Sequence, residues 1–73
     1  MIVKAIAGTS FPRHRHATLE ESYVLEGDLR IGEQLLHAGD YQRADAGSVH
    51  EVQYTEEGCT ILVIGSAHDE ILK

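Results

Sequence analysis

The sequence predicts an all-β chain, an antiparallel barrel or sandwich built from short strands. Two observations carry this. Glycines at 8, 27, 32, 39, 47, 58 and 65 cut the 73 residues into short pieces, and the segments between them are rich in Val, Ile, Leu, Tyr and Thr, side chains that suit a pleated, half-buried surface. No window keeps an apolar i, i+3, i+4, i+7 stripe through three turns without meeting a glycine, so the signature of an amphipathic helix is missing.

Taken in order, a first strand is expected over residues 2–7. Pro12, the only proline, falls at the start of a strand, where a missing N–H can be spared. A strand over 20–25 leads into Gly27-Asp28, and one over 34–37 leads into Gly39-Asp40. Both dipeptides suit tight turns in which one residue takes a positive φ. Two more strands are expected over 49–55 and 59–64. Residues 66–73 read either as a turn or two of helix or as a last edge strand. With no linker, repeat or low-complexity tract, residues 1–73 are expected to form a single domain.

Size and charge narrow the possibilities. A chain this short buries only about 60% of the surface its unfolded form exposes. Core burial below roughly 80 residues seldom nets more than about 3–5 kcal/mol. The only cysteine is Cys59, so no intrachain disulfide can help, and a metal, a partner subunit or both must. Twelve acidic residues stand against six basic ones, and the net charge of −6 argues against nucleic acid as a partner. The longest aliphatic run, residues 61–64, is far short of the roughly 20 residues a membrane helix needs. Residues 1–8 carry one lysine and no apolar segment of secretory-signal length. With the lone cysteine and a pI near 5.1, these features point to a cytoplasmic protein with neither a membrane nor a nucleic-acid partner.

Chemistry concentrates in residues 8–27 and 39–54. Side chains two apart on a strand share a face, so His14 and His16 present both imidazoles to one side while Arg13 and Arg15 face the other. Glu20 shares their parity if the chain stays extended, or returns on a neighbouring strand after a short bend. Two neutral imidazoles and a carboxylate suit zinc, iron, manganese, nickel or copper. His50 lies 34 residues beyond His16 in the sequence and can join them only through an antiparallel return, which a barrel supplies.

The spacing of Gly8, His14, His16, Glu20 and Gly27 resembles the first cupin motif in full: glycine, five residues, His-x-His, three residues, glutamate, six residues, glycine. Gly39, Gly47 and His50 resemble the second, with Asp45 where the family commonly has proline and Tyr54 where it has asparagine. Neither departure falls on an expected ligand. The resemblance runs from Gly8 to about Tyr54. The runs at 21–29, 38–41 and 47–51 are also similar to the zinc-containing cupin-like domain attached to certain bacterial anti-sigma factors, although these 73 residues are not expected to include a sigma-binding helical segment. The resemblance implies a short antiparallel β-barrel, the double-stranded β-helix of cupin and jelly-roll type. It also implies one divalent transition metal per chain (zinc, iron, manganese or nickel) near one mouth, with His14, His16, Glu20 and His50 as ligands.

Other residues carry weaker signals. Glu21 competes with Glu20, but only Glu20 keeps six residues before Gly27. His37 reads as a surface residue and His68 as part of a polar tail. Cys59 opens an apolar strand and is expected to pack as a small hydrophobe. Tyr23 and Tyr41 are expected to pack, and Tyr54, on the same parity as His50, is left open between packing and a hydrogen bond near the metal. If Glu20 faces the lumen, so do Ser22 and Val24, while Tyr23 and Leu25 face outward. Residues 61–64 are apolar on both parities, and a strand apolar on both sides needs cover on both, so a homodimer is expected. Two roles follow from the resemblance. One is a metal-binding cupin that takes a small organic ligand, with oxygenase or isomerase/lyase activity as its catalytic form. The other is a non-catalytic zinc sensor or regulatory module. An assembly domain that keeps the barrel without a metal is a third.

Overall fold

Ten strands follow one another in the computed structural model, which describes residues 1–65 and 70–71. They are β1 (Ile2–Ala5), β2 (Ser10–Phe11), β3 (His14–Arg15), β4 (Glu20–Ile31), β5 (Gln34–His37), β6 (Tyr41–Ala44), β7 (Val49–His50), β8 (Gln53–Tyr54), β9 (Cys59–Ile64) and β10 (Glu70–Ile71). No described residue is helical. The all-β reading therefore holds, in the curled antiparallel form of a jelly roll. One sheet runs β1-β9-β4-β8-β2, with β5 and β6 also paired to β4, and a second runs β10-β3-β7.

The long strand β4 organises the larger sheet. Its first half pairs with β6 on one side and β9 on the other. Its second half pairs with β5 and β8. A register shift between Val24 and Glu26 makes Leu25 a bulge. Because the side-chain period of a strand is two, one inserted residue exchanges its faces. Ser22 and Val24 are buried before the bulge, and Leu29 is fully buried after it, so the inward parity changes from even to odd. Tyr23 and Leu25 remain on the outside, as expected. The core is Val24, Leu29, Leu36, Cys59 and Ile61, with Ala5, Phe11, Ile31 and Val63 packed against it. Each fully buried aliphatic side chain contributes about 1.5–3 kcal/mol, so this core is thin.

The strands expected at 34–37 and 59–64 are present with those bounds, and that at 2–7 ends at Ala5. Two expectations need correction. Gly27-Asp28 is no turn, since both residues lie inside β4; the hairpin turn is Gly32-Glu33, between the paired Ile31 and Gln34. Gly27 is needed instead for a close approach. Its φ is +81°, and a Cβ there would overlap the Gly58 carbonyl and the Cα of Cys59 on β9. The strand expected over 49–55 is two strands in different sheets, because the chain crosses between sheets at residues 51–52. Of residues 66–73, Glu70–Ile71 forms a strand against β3, and His68 lies outside the described residues.

Asp28, buried beside this approach, holds the loop before β9. Its carboxylate accepts hydrogen bonds from Thr55 Oγ1 (3.0 Å) and from the backbone N–H groups of Glu56 (3.1 Å) and Glu57 (2.9 Å). Thr55 Oγ1 in turn accepts from the Gly58 N–H at 3.0 Å. The Glu57 N–H is the main cause that lowers the Asp28 pKa below its ordinary value, reinforced by the Glu56 N–H, Thr55 and Arg30 and opposed by burial.

Two predictions follow from this packing. Gly27→Ala adds a methyl group that overlaps backbone and places a side chain at positive φ, and should cost about 2 kcal/mol or more, read as a lower urea midpoint. Ionised Asp28 stabilises the fold fully above its unfolded pKa of about 3.9, and this contribution is lost as pH falls through its lowered folded pKa. Asp28→Asn should therefore melt below the parent at neutral pH, with the gap narrowing below about pH 4. A gap that stays constant through the acid range would contradict the assignment.

Candidate metal centre

Strands β3 and β7 are two residues long, but their register sets the site. His14 pairs directly with His50, and Arg15 with Val49. The ladder continues one residue further, as the His16 N–H donates to the Ser48 carbonyl (2.9 Å) and the Gly47 N–H to the His16 carbonyl (2.8 Å). Gly47 can do this because it sits at φ +82°, in a turn closed by the Ser48 N–H donating to the Asp45 carbonyl at 3.1 Å. Residues 17–19 then bend away and β4 opens at Glu20. Glu20 thus arrives by the short bend and not by continued extension.

These segments gather His14, His16, Glu20 and His50, each offering a ligand atom, with all four atoms within 4.8 Å of one another. Two ligands about 2.1 Å from one ion lie roughly 3–4 Å apart in tetrahedral or octahedral geometry, so a small inward adjustment closes a first shell. The donor set, three imidazoles and one carboxylate, fits a divalent transition ion. The rings stand edge to face, with centroids 4.7 Å apart for His14 and His16, 5.4 Å for His14 and His50, and 4.4 Å for His16 and His50.

Hydrogen bonds fix the orientation of two rings. The Pro12 carbonyl can only accept, so His14 Nδ1–H donates to it at 2.8 Å, a tautomer in which Nε2 is the ring nitrogen able to serve as a ligand. His16 is 1% exposed and sits at the centre. Its Nδ1 donates to Glu20 Oε2 at 3.1 Å, and its Nε2 lies 2.8 Å from His50 Nδ1. Gln53 Nε2 approaches the same His50 nitrogen at 3.1 Å. Partners of this kind set the tautomer and aim of a metal-binding imidazole.

A cavity of about 180 Å³ adjoins the cluster at His14 and Glu20 and is otherwise lined by Met1, Val3, Phe11, Ser22, Gln42, Gln53, Ile61 and Val63. Gln53 is the functional candidate that sequence reasoning missed. It is buried, touches His50 and lines the cavity, yet glutamine is no usual ligand and the break between β7 and β8 hid its parity. The same break moves Tyr54 away from the site: it is exposed and pairs with Ser10 and Arg30. Glu21 is also elsewhere, accepting a hydrogen bond from Tyr41 Oη at 2.8 Å. His37 is exposed. Cys59 is buried and unpaired, and desolvation pushes its thiol pKa up, the reverse of what a nucleophile needs.

The ChrR Cupin-like domain family model matches residues 1–68. No curated protein matches the chain. Among solved structures, an acetylacetone dioxygenase from Acinetobacter johnsonii superposes with a TM-score of 0.87 at 18% identity, over 99% of this chain and 52% of that one, a likeness of fold alone. A chain of the Rhodobacter sphaeroides complex of SigE with the anti-sigma ChrR gives 0.79 at 28% identity, over 89% of this chain and 36% of that one. A cupin-2 domain protein from Shewanella frigidimarina gives 0.67 at 27% identity, over 89% and 67%. The chain thus spans about half or less of the first two. With almost its whole length matched, it belongs to the ChrR Cupin-like domain family.

Proposed function

We propose that this member of the ChrR Cupin-like domain family binds one divalent transition metal through His14, His16, Glu20 and His50 and takes a small organic ligand in the adjoining cavity. The observation that carries the reading is the convergence of four donor atoms within 4.8 Å from three separate stretches of chain. When bound, the ion supplies Lewis acidity and a template for an oxygen donor. Glu20 offsets part of the ion's charge. Pro12 and Gln53 hold their imidazoles in place, while Val3, Phe11 and Val63 exclude water from one side. An oxygenase, isomerase or lyase acting on a chelating, oxygen-bearing molecule is the catalytic form of this reading.

A second reading is a zinc-binding sensor or regulatory module. The family match and the 28% identity to a chain of the SigE–ChrR complex support it. Four protein ligands nearly saturate a tetrahedral zinc, whereas octahedral iron, manganese or nickel keeps two positions open. Metal analysis of protein purified without an affinity tag separates the two: stoichiometric zinc with no exchangeable position favours the sensor, and iron, manganese or nickel favours the ligand-binding site.

The same proposal includes a homodimer formed by a single cytoplasmic domain spanning residues 1–73. Its support is a row in register on the outer face of the sheet: Ile2 opposite Leu62, Leu62 opposite Tyr23, and Tyr23 opposite Tyr41. Ile2 is 52%, Tyr23 39% and Tyr41 43% exposed. A second copy laid on this face would cover both sides of β9.

Three measurements test these assignments. His50→Ala and Glu20→Gln should each lower metal content after dialysis by about tenfold or more, while Glu21→Gln leaves it unchanged; full retention in His50→Ala would end the four-ligand assignment. Metal at a thousand times its dissociation constant should stabilise the fold by about 4 kcal/mol, so identical melting curves before and after chelation would support the metal-free assembly domain instead. Sedimentation should show a dimer that Tyr23→Glu dissociates, and a parent that is monomeric at micromolar concentration would exclude this interface.

A further inference from the structure

The hydrogen bonds inside the cluster fix more than the aim of its rings. A carboxylate oxygen can only accept, so the 3.1 Å contact between His16 Nδ1 and Glu20 Oε2 places a hydrogen on His16 Nδ1. In the neutral imidazole that a metal site needs, His16 Nε2 then carries none. Yet this nitrogen lies 2.8 Å from His50 Nδ1, a hydrogen-bond distance that requires one hydrogen between the two. That hydrogen therefore belongs to His50 Nδ1, and Nε2 is the ring nitrogen of His50 able to serve as a ligand. His14 has the same form, with its Nδ1–H on the Pro12 carbonyl. The side chain of Gln53 reaches the same His50 nitrogen, its amide Nε2 at 3.1 Å. Half a turn of the amide puts Oε1 in that place, and of its two ends only the oxygen accepts from an N–H.

We infer that Gln53 is a positioning residue of the metal centre, whose amide oxygen takes over the His50 Nδ1–H when a cation occupies His16 Nε2. The inference rests on the metal-binding reading and adds a residue outside its four ligands. Without metal, His16 Nε2 accepts the hydrogen of His50. A cation and a hydrogen bond cannot share one lone pair, so metal binding removes that acceptor. Gln53 offers another from the larger sheet. It is buried, and β8 is held from both sides, with Gln53 in register with Phe11 on β2 and with Ile31 on β4. Handing the hydrogen to Gln53 keeps the His50 ring in its ligand tautomer. It also spares the cost of a hydrogen bond lost in a part-buried site. Gln53 thus contributes to the metal-bound chain and little to the metal-free one.

The test uses the full chain with isotope-labelled histidine rings, followed by NMR, and zinc as the probe. In the zinc-bound parent, the His50 ring should keep its hydrogen on Nδ1 and bind through Nε2. Gln53→Met, similar in length but a poor acceptor, should lower zinc affinity about tenfold or more, while its metal-free form melts close to the parent. Gln53→Glu restores an acceptor oxygen and should bind zinc at least as tightly as the parent. Binding through His50 Nδ1 overturns the inference without any variant, since no hydrogen then remains for Gln53 to accept. So does a Gln53→Met chain that keeps parental zinc affinity, or one whose metal-free form is destabilised as much as its zinc-bound form. A Gln53→Glu chain as weak as Gln53→Met overturns it too. Each of these outcomes leaves the metal-binding reading standing. A parent that takes up no zinc fails that reading first, and this inference with it.

Discussion

The register of β3 against β7 is the constraint on which the site depends. His14 faces His50 across it, although 36 positions separate them in the sequence. Only two pairs make up this ladder, so it draws support from outside itself. The backbone bonds of His16 to residues 47 and 48 extend it, and β10 covers its other edge. The Arg13–Glu51 ion pair at 3.1 Å adds little, because both side chains are exposed and such pairs contribute about 0–1 kcal/mol. A slip of one residue would turn the imidazoles of His14 and His16 away from their partners. The turn at Gly47 is therefore as much a part of the site as the histidines.

The larger sheet must curl for Glu20 to meet that ladder, and β4 holds the means. The bulge at Leu25 strengthens local twist, and the missing Cβ of Gly27 lets β4 and β9 approach closely just beyond it. Asp28 then gathers the chain before β9 through three hydrogen bonds. The strand whose first residue is a metal-ligand candidate is thus anchored a few residues later by a polar cluster unrelated to the metal. Destabilising the Asp28 cluster would reach the site through the course of β4 and not through direct contact.

How much of this was legible depends on what each residue's signal was. Glycine punctuation and apolar runs revealed the strand-built class, and the spacing of His14, His16, Glu20 and His50 picked out four residues that the structure gathers into one cluster. The outward placement of Tyr23 and Leu25 also followed from parity. What failed were inferences that extended parity across an interruption. Gly27 looked like a turn because a glycine needed for positive φ inside a strand has the same sequence appearance as one needed in a hairpin. Tyr54 was placed by counting from His50 through residues 51–52, where the chain leaves one sheet for the other, so the count lost its meaning. Gln53 was invisible for the same reason. The strands at β2 and β6 were also missed: one is two residues long and the other, Tyr41–Ala44, carries polar Gln42 and Arg43, so neither shows an apolar alternation.

The composition of the interior explains why a fold this small accommodates such a site. Among the described residues, Val24, Leu29, Leu36, Ala44, Cys59 and Ile61 are buried apolar positions, and His16, Ser22, Asp28, Gln53 and Thr55 are buried polar ones. A core nearly half polar is costly unless each group finds a partner. Asp28 and Thr55 find theirs in the backbone of the 55–58 loop. His16 and Gln53 find theirs at His50 and Glu20, and no buried side-chain nitrogen or oxygen among the described residues lacks a partner. The two polar groups differ in what they leave over. The first is closed, with its donors and acceptors satisfied within the chain. The second brings four possible ligand atoms within 4.8 Å of one another beside a cavity, the point at which a cation would bind. Space that a larger apolar core would have filled is given to that point, so the ion that would bind there supplies cohesion as well as chemistry.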